Sequence, residues 1–530
     1  MLNNLIKKLS SFPITFESWI LSALGIIAVR IFLEQYSNNL AGHYVLIDLA
    51  TLVQYTTSFL TILLCSIAII LYSTKKSLQE VASLTLFAFM LIWTAPIFDL
   101  ILSAGKGYNI HYLFLNLKEL LLAFVTEFWT TTSHGMTYGI RLEILLILII
   151  SFITIYILTK SKVRALVGSI LLWLSIFIID CLPSFLGIFQ TKSTALFIQQ
   201  SVFSSNIINN SIFSMQSGIQ RLYDIGFNSL ISQSIIVIAF VALSLICFWG
   251  YREKAKILFK NARWNRIAHY VLLVVAGVIV GGGKSFFHSW VNILSLIMTM
   301  SAFALAWFSA VCVNDIHDID IDVISNKDRP LPSGSFTKAE FLSLARISLL
   351  LALLAAYSAS LYGLFFVILF SFAFYIYSAN PIKLKQHFVS GALVIGFASV
   401  SAILSGFFLA HQSRELFSFP PLFVLALIIL FGFSSMIKDI KDYEGDRANG
   451  IKTLPVVLGL RASKIVIAVI VSLSLIGISI YIHNLAIVWA SIITSICIWI
   501  VLLSKNYKEK RFFIVYLAYL VFCGVIILIK

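Results

Sequence analysis

Apolar stretches of about 20 residues recur along this chain, each long enough to cross the roughly 30 Å hydrocarbon core of a bilayer as a helix. Inside hydrocarbon there is no water to satisfy a backbone N–H or C=O, so a single spanning segment must pair its own backbone groups and coil. The chain is therefore expected to be an all-α integral membrane protein with roughly fifteen spans, too many for one compact bundle. Apolar residues make up 60% of its 530 positions and charged residues 12%, which excludes an ordinary soluble domain.

The first half offers spans over 18–34, 46–73, 80–103, 138–159, 164–189 and 231–250. The run that starts near Ser18 has no small-residue cleavage site after it and reads as a retained span. Basic clusters at Lys7-Lys8, Lys75-Lys76, Lys160 to Arg164 and Arg252 to Arg266 alternate with longer loops poor in Lys and Arg. That bias places both ends of the half in the cytoplasm. The segment YREKAKILFKNARWNR, 251–266, is the longest polar, basic interruption and marks a domain boundary. It separates an N-terminal transmembrane domain of unknown function, 1–255, from a second domain, 256–530. The second half offers nine spans, over 268–285, 287–313, 339–357, 361–378, 388–410, 420–438, 463–481, 484–503 and 511–529.

A net charge of +15 could point to nucleic acid. The Lys and Arg instead sit in short loops between spans, where orientation needs them, and no nucleic-acid-binding motif is present. The six cysteines are scattered and form no C-x-x-C pair, so neither a zinc site nor a disulfide framework is indicated.

Chemistry concentrates in two loops of the second half. Asn314-Asp315-Ile316-His317-Asp318-Ile319-Asp320-Ile321-Asp322 and Asp439-Ile440-Lys441-Asp442-Tyr443-Glu444-Gly445-Asp446 both contain D-x-x-D-x-x-x-D. On a continuous helix, positions i, i+3 and i+7 fall at about 0°, −60° and −20°, so each triple is expected to line one narrow stripe. Asp320 points about 140° away on the same reckoning. Three carboxylates on one face repel unless a cation neutralises them, and oxygen-only ligands suit Mg²⁺, which also takes substrate phosphate oxygens. Lys327 and Arg329 follow the first stripe, Lys438 and Arg447 flank the second, and Tyr377 to Lys385 form a third polar loop. Acidic stripes beside Lys and Arg are the parts of a diphosphate cradle. Both motifs follow even-numbered spans of their domain, a weak internal repeat, and their Lys- and Arg-rich loops are expected in the cytoplasm.

The strings NDIHDIDIDVISNKDRPLPSG and KDIKDYEGDRANGIKTLPVVLG resemble the two signature loops of the UbiA superfamily of intramembrane prenyltransferases, and YSANPIKLK resembles the loop between that family's fourth and fifth helices. The resemblance covers about 260–530. It implies a nine-helix UbiA-type bundle, preceded here by an approximately six-helix domain that the family does not include. Position by position, it implies that Asn314, Asp315, Asp318, Asp322, Asp439, Asp442 and Asp446 bind Mg²⁺, with Asp315, Asp318, Asp439 and Asp442 catalytic. Arg329, Lys385, Lys438 and Arg447, with Asn326, would contact the diphosphate, and Tyr377 and Tyr443 would lie near the allylic carbon. The implied reaction is transfer of a prenyl group from a polyprenyl diphosphate to a lipid-soluble acceptor, either an aromatic or quinone precursor or a glycerol-phosphate lipid. A cation-binding transporter is disfavoured, because transport sites lie near the bilayer midplane and these clusters lie at span ends.

Other features carry less. Gly281-Gly282-Gly283-Lys284 lacks the spacing of a phosphate loop and reads as a helix end or close-packing site. His317 is a lone histidine. Asp48, Asp99, Glu127, Glu143 and Asp180 lie in or near first-half spans, where ionisable groups are costly and often functional, but share no spacing. Arg30 and Glu34 read as an i, i+4 pair, and Asn209-Asn210-Ser211 fits a glycosylation acceptor by pattern alone.

Overall fold

A computed structural model describes residues 2–40, 48–105, 117–126, 137–191, 219–411, 415–448, 450–504 and 507–529. Asn209, Asn210, Ser211 and Glu127 lie outside them. The regular structure of the described residues is helical, apart from one isolated bridge between His387 and Lys452. Among the described residues fifteen helices are long and apolar enough to cross a membrane, six up to Gly250 and nine from Trp264 onward. The chain is an integral, multi-pass membrane protein.

Two compact units divide between Ala255 and Lys256. In the first, small and branched residues of neighbouring helices interlock around Ala23, Ile27, Leu63, Val81 and Ile155, each at most 1% exposed. Two tryptophans tie helices together by donating Nε1–H to carbonyls of other spans, Trp93 to Ile26 at 2.8 Å and Trp19 to Ala82 at 3.2 Å.

Several expected spans are not simple rods. The stretch read as 80–103 starts at Leu78 behind a Ser77/Glu80 capping box, loosens into a 3₁₀ turn at Met90–Trp93 and resumes as Thr94–Leu102. Pro96 explains the interruption, since it offers no N–H to the preceding turn. The stretch read as 164–189 is a helix Lys162–Asp180 and a second, Leu182–Thr191, with Pro183 in the first turn of the second. The sixth helix begins at Ile219, and the loop read as 104–137 contains a helix, Leu117–Thr126.

In the second unit the Phe388–Ala410 helix is the most enclosed span, 78% buried, and glycines let its neighbours come close. Gly277 of the Trp264–Phe286 helix faces the Ile403 carbonyl, and Gly406 faces the Val274 carbonyl in return. On the other side Gly396 meets the Ile428 carbonyl and Gly432 the Ala392 carbonyl. A side chain at any of these would strike backbone, which is the small-residue packing that bilayers favour. Gly281 and Gly282 pack against Phe407 and Ala410, and Gly283 (φ 56°) kinks the helix, so this run is a packing device and a helix end.

Candidate active site

A cavity of about 1690 Å³ opens within the second unit where its motif loops meet. Its lining includes Asn314, Asp315, Asp318, Asp322, Asn326, Arg329, Tyr377, Lys385, Lys438, Asp439, Asp442 and Asp446. Two expected residues stand apart from it. Tyr443 and Arg447 are not in the lining, and Arg447 donates to the Tyr443 hydroxyl at 3.4 Å on an exposed side of their short helix. His317 is also exposed and outside the lining.

The aspartates do not form stripes on continuous helices. The Trp290–His317 helix ends at Asp318 (φ −109°, ψ 12°), and a separate short helix, Ile319–Ser325, carries Asp322. The second motif repeats the device: helix Ile437–Lys441 ends at Asp442 (φ −90°, ψ 7°), and Tyr443–Ala448 carries Asp446. Each motif breaks at its middle aspartate, so its three carboxylates do not lie on one continuous helix. The two short helices pack against one another, so the motifs converge through the segments that follow the breaks. Asp320 is exposed and outside the lining.

Basic groups hold the first motif's carboxylates. Arg263 Nη2 donates to Asp315 Oδ1 at 2.6 Å, Arg329 Nη1 donates to Asp322 Oδ1 at 2.6 Å, and Arg329 lies 3.7 Å from Asp315. Lys385 Nζ donates to Asp318, Asn326 Nδ2 to Asp322 at 3.1 Å, and Ser378 Oγ to Asn314 Oδ1 at 3.0 Å. Lys438 Nζ donates to the Tyr377 hydroxyl while lying 4.4 Å from the ring centroid, so an ammonium already rests on that aromatic face. Below these polar groups Tyr270, Trp307 and Phe374 form an aromatic floor, with centroids 5.2 Å (Tyr270–Trp307) and 5.1 Å (Trp307–Phe374) apart.

Electrostatics follow from this crowding. Burial, and then the neighbouring Asp442 charge, push the Asp446 carboxyl up to about 6. Burial also raises Asp322 against the pull of Arg329, and it lowers the Lys385 ammonium despite Asp318. Oxygen donors on this cavity wall suit a hard divalent cation. Among the described residues, however, no three carboxylates stand together as a ready metal cluster, and Arg263, Arg329 and Lys385 each pair with a different carboxylate of the first motif.

Sequence reasoning missed part of the basic wall. Arg263 and Arg266, read as linker, line the cavity at the start of the first helix, and Arg266 pairs with Glu509 at 2.7 Å. Lys464, Lys508, Lys510 and Arg511 also line it. The six cations in YREKAKILFKNARWNR were a signal, but charge alone did not say that the end of this segment faces a cavity. Twelve Lys and Arg side chains face eight carboxylates along the lining.

The digeranylgeranylglyceryl phosphate synthase of Ignicoccus hospitalis is 30% identical over 197 residues, 36% of this chain and 62% of that protein. The chloroplastic chlorophyll synthase of Arabidopsis thaliana is 31% identical over 206 residues, 36% of this chain and 53% of that protein. The chain thus spans less than two thirds of the length of these two relatives. Among solved structures, a UbiA homolog from Archaeoglobus fulgidus bound to DMAPP and Mg²⁺ is 17% identical with a TM-score of 0.39, covering 50% of this chain and 97% of its own. The sequence model of the UbiA prenyltransferase family matches residues 270–521, and the C-terminal half of this chain belongs to that family.

Proposed function

We propose that the C-terminal domain transfers a prenyl group from a polyprenyl diphosphate to a lipid-soluble acceptor within the membrane. One observation carries the reading: aspartates of both motifs line a single cavity together with Arg329, Lys385 and Lys438. Asp315, Asp318, Asp322, Asp439, Asp442 and Asp446, with Asn314, would hold Mg²⁺, as their oxygen-only chemistry fits. Held there, Mg²⁺ would supply Lewis-acid neutralisation of the diphosphate leaving group.

The chain's own groups do the rest. Arg329 and Lys385, each shared with a carboxylate in the ligand-free geometry, turn to the phosphate oxygens and take up charge as the electron pair leaves with the diphosphate. Lys438, held on Tyr377, adds a third positive group at the same wall. Tyr270, Trp307 and Phe374 supply aromatic faces that shield a developing allylic cation from water. The acceptor nucleophile then forms the new bond to the prenyl carbon and gives up its proton, with diphosphate as the leaving group. The Lys and Arg bias of the loops supports a cavity mouth on the cytoplasmic side, where a soluble diphosphate is supplied.

A second reading concerns the acceptor. The excess of four cationic groups along the lining, with Lys464, Lys508, Lys510 and Arg511 among them, favours an acceptor that itself carries a phosphate, as a glycerol-phosphate lipid does. An aromatic or quinone precursor needs no such surplus. The test is transfer from labelled geranylgeranyl diphosphate, with Mg²⁺ or excess EDTA, to a phosphorylated glyceryl lipid and to an aromatic acceptor, with products identified by mass. Transfer undiminished in EDTA would refute the metal assignment, and transfer to the aromatic acceptor alone would refute the second reading.

A further inference from the structure

The first unit carries buried and half-buried ionisable groups that prenyl transfer does not use. They come from five helices. Arg30 and Glu34 lie on Phe16–Leu40 and form an ion pair at 3.4 Å. Tyr55 of Leu49–Thr74 donates its hydroxyl to Glu34 at 3.4 Å. Asp99 ends the interrupted third span, where it accepts from the Thr137 hydroxyl and, at 2.7 Å, from the Gly139 N–H. Glu143 lies on Tyr138–Thr159, and Asp180 closes Lys162–Asp180.

The charges do not balance. The field of Arg30 reaches Asp99, Glu143 and Asp180, yet its guanidinium is already paired with Glu34. Asp99 is satisfied by neutral donors. Glu143 is 7% exposed, and the fields of Asp180 and Glu34 both bear on it. One side of its carboxyl takes the backbone N–H of Ala95, a first-turn donor left over where the third span restarts after its 3₁₀ turn. Its Oε2 is buried without a hydrogen-bond partner among the described residues.

An ionised carboxylate with a bare oxygen, beside two further acids, is not stable away from water. A bound metal ion is not the remedy, because no three carboxylates or other ligating side chains converge there among the described residues. A proton is. It turns the bare oxygen into a hydroxyl and removes the charge at one stroke.

We propose that the N-terminal unit holds an intramembrane proton-binding site, with Glu143 Oε2 as the atom that takes up and releases the proton. Arg30, Glu34 and Asp180 are the charged groups whose fields bear on it. Interrupted spans with freed backbone donors are where membrane proteins commonly place such exchanging groups. The site rests on the first unit alone and is independent of the prenyl-transfer reading.

The test uses the full-length protein in lipid bilayers. Dicyclohexylcarbodiimide, an apolar reagent selective for protonated carboxyls in apolar surroundings, is applied over a pH series and the modified peptide is identified by mass spectrometry. The adduct is expected on Glu143, with a rate that falls as pH rises, and it is lost in Glu143→Gln. Infrared spectroscopy of the wild type gives a readout that does not depend on the variant folding: a protonated-carboxyl carbonyl band that fades as pH rises. Absence of both adduct and band would overturn the proposal. So would protection of Glu143 by Na⁺ at constant pH and ionic strength, which would make the site one for a metal cation.

Discussion

Replacing Asp315 by Asn keeps the shape of the side chain and removes its charge, which makes it the sharpest probe of the cavity. Asp315 is 5% exposed, accepts from Arg263 at 2.6 Å and lies 3.7 Å from Arg329. Losing one charge-assisted hydrogen bond of this kind costs about 1.5–3 kcal/mol of stability. The lower end applies here, since the Arg263 and Arg329 side chains are each 24% exposed and can be partly rehydrated. Turnover should suffer more. Removing one preorganised group that answers charge at the reacting centre costs about 2.7–4 kcal/mol, or roughly 10²–10³-fold in rate. Asp320→Asn is the internal control: it is exposed, outside the lining, and should change rate by no more than about twofold. The assay is initial-rate transfer from labelled geranylgeranyl diphosphate in detergent-solubilised protein, alongside thermal melting of each variant. A fully active Asp315→Asn protein, or equal losses from Asp315→Asn and Asp320→Asn, would refute the assignment of the first motif.

Four further outcomes are expected. Gly406→Ala sets a methyl against the Val274 carbonyl and should cost about 1–3 kcal/mol, read as a lower melting temperature, whereas Gly477→Ala meets open space and should not. Arg263→Ala should weaken diphosphate binding while Arg461→Ala, which does not line the cavity, leaves it unchanged, as measured by competition with labelled substrate. Cysteines introduced as Ser333→Cys or Lys452→Cys should react with an impermeant thiol reagent only from the cytoplasmic face, since both positions are exposed in Lys- and Arg-rich loops; labelling from outside would invert the topology. A protein that begins near Lys254 retains every motif residue and should bind a prenyl diphosphate in an Mg²⁺-dependent way; a folded truncation without that binding would make the first half part of the active site.

Much of this architecture can be read directly from the chain, because bilayer spans advertise themselves by length and apolarity. The motif residues were legible for a different reason: acidic runs at span ends have no cheap structural role. What escaped was local geometry. Periodicity treats Asp315, Asp318 and Asp322 as points on one cylinder and cannot register that the backbone leaves the helix at Asp318. Arg263 escaped because its partner Asp315 is distant in sequence, and only folding discloses the pair. The 3₁₀ turn before Pro96 was within reach, since proline there denies the previous turn a donor. Glu143 and Asp180 were visible as costly residues, but the shared field of Arg30 was not.

The paired breaks at Asp318 and Asp442 have a thermodynamic consequence. The short helices that follow them, Ile319–Ser325 and Tyr443–Ala448, touch each other. A ligand that shifts Asp322 therefore leans on the helix carrying Asp446, and one that shifts Asp446 leans back. If each motif takes a ligand, their occupancies are predicted to be linked, and the linkage to be reciprocal: whatever factor the first occupant contributes to the affinity of the second, the second returns to the first. Titrations of either motif should thus depart from independent-site behaviour, and a substitution at the contact between the two short helices should restore independence without touching a single ligand.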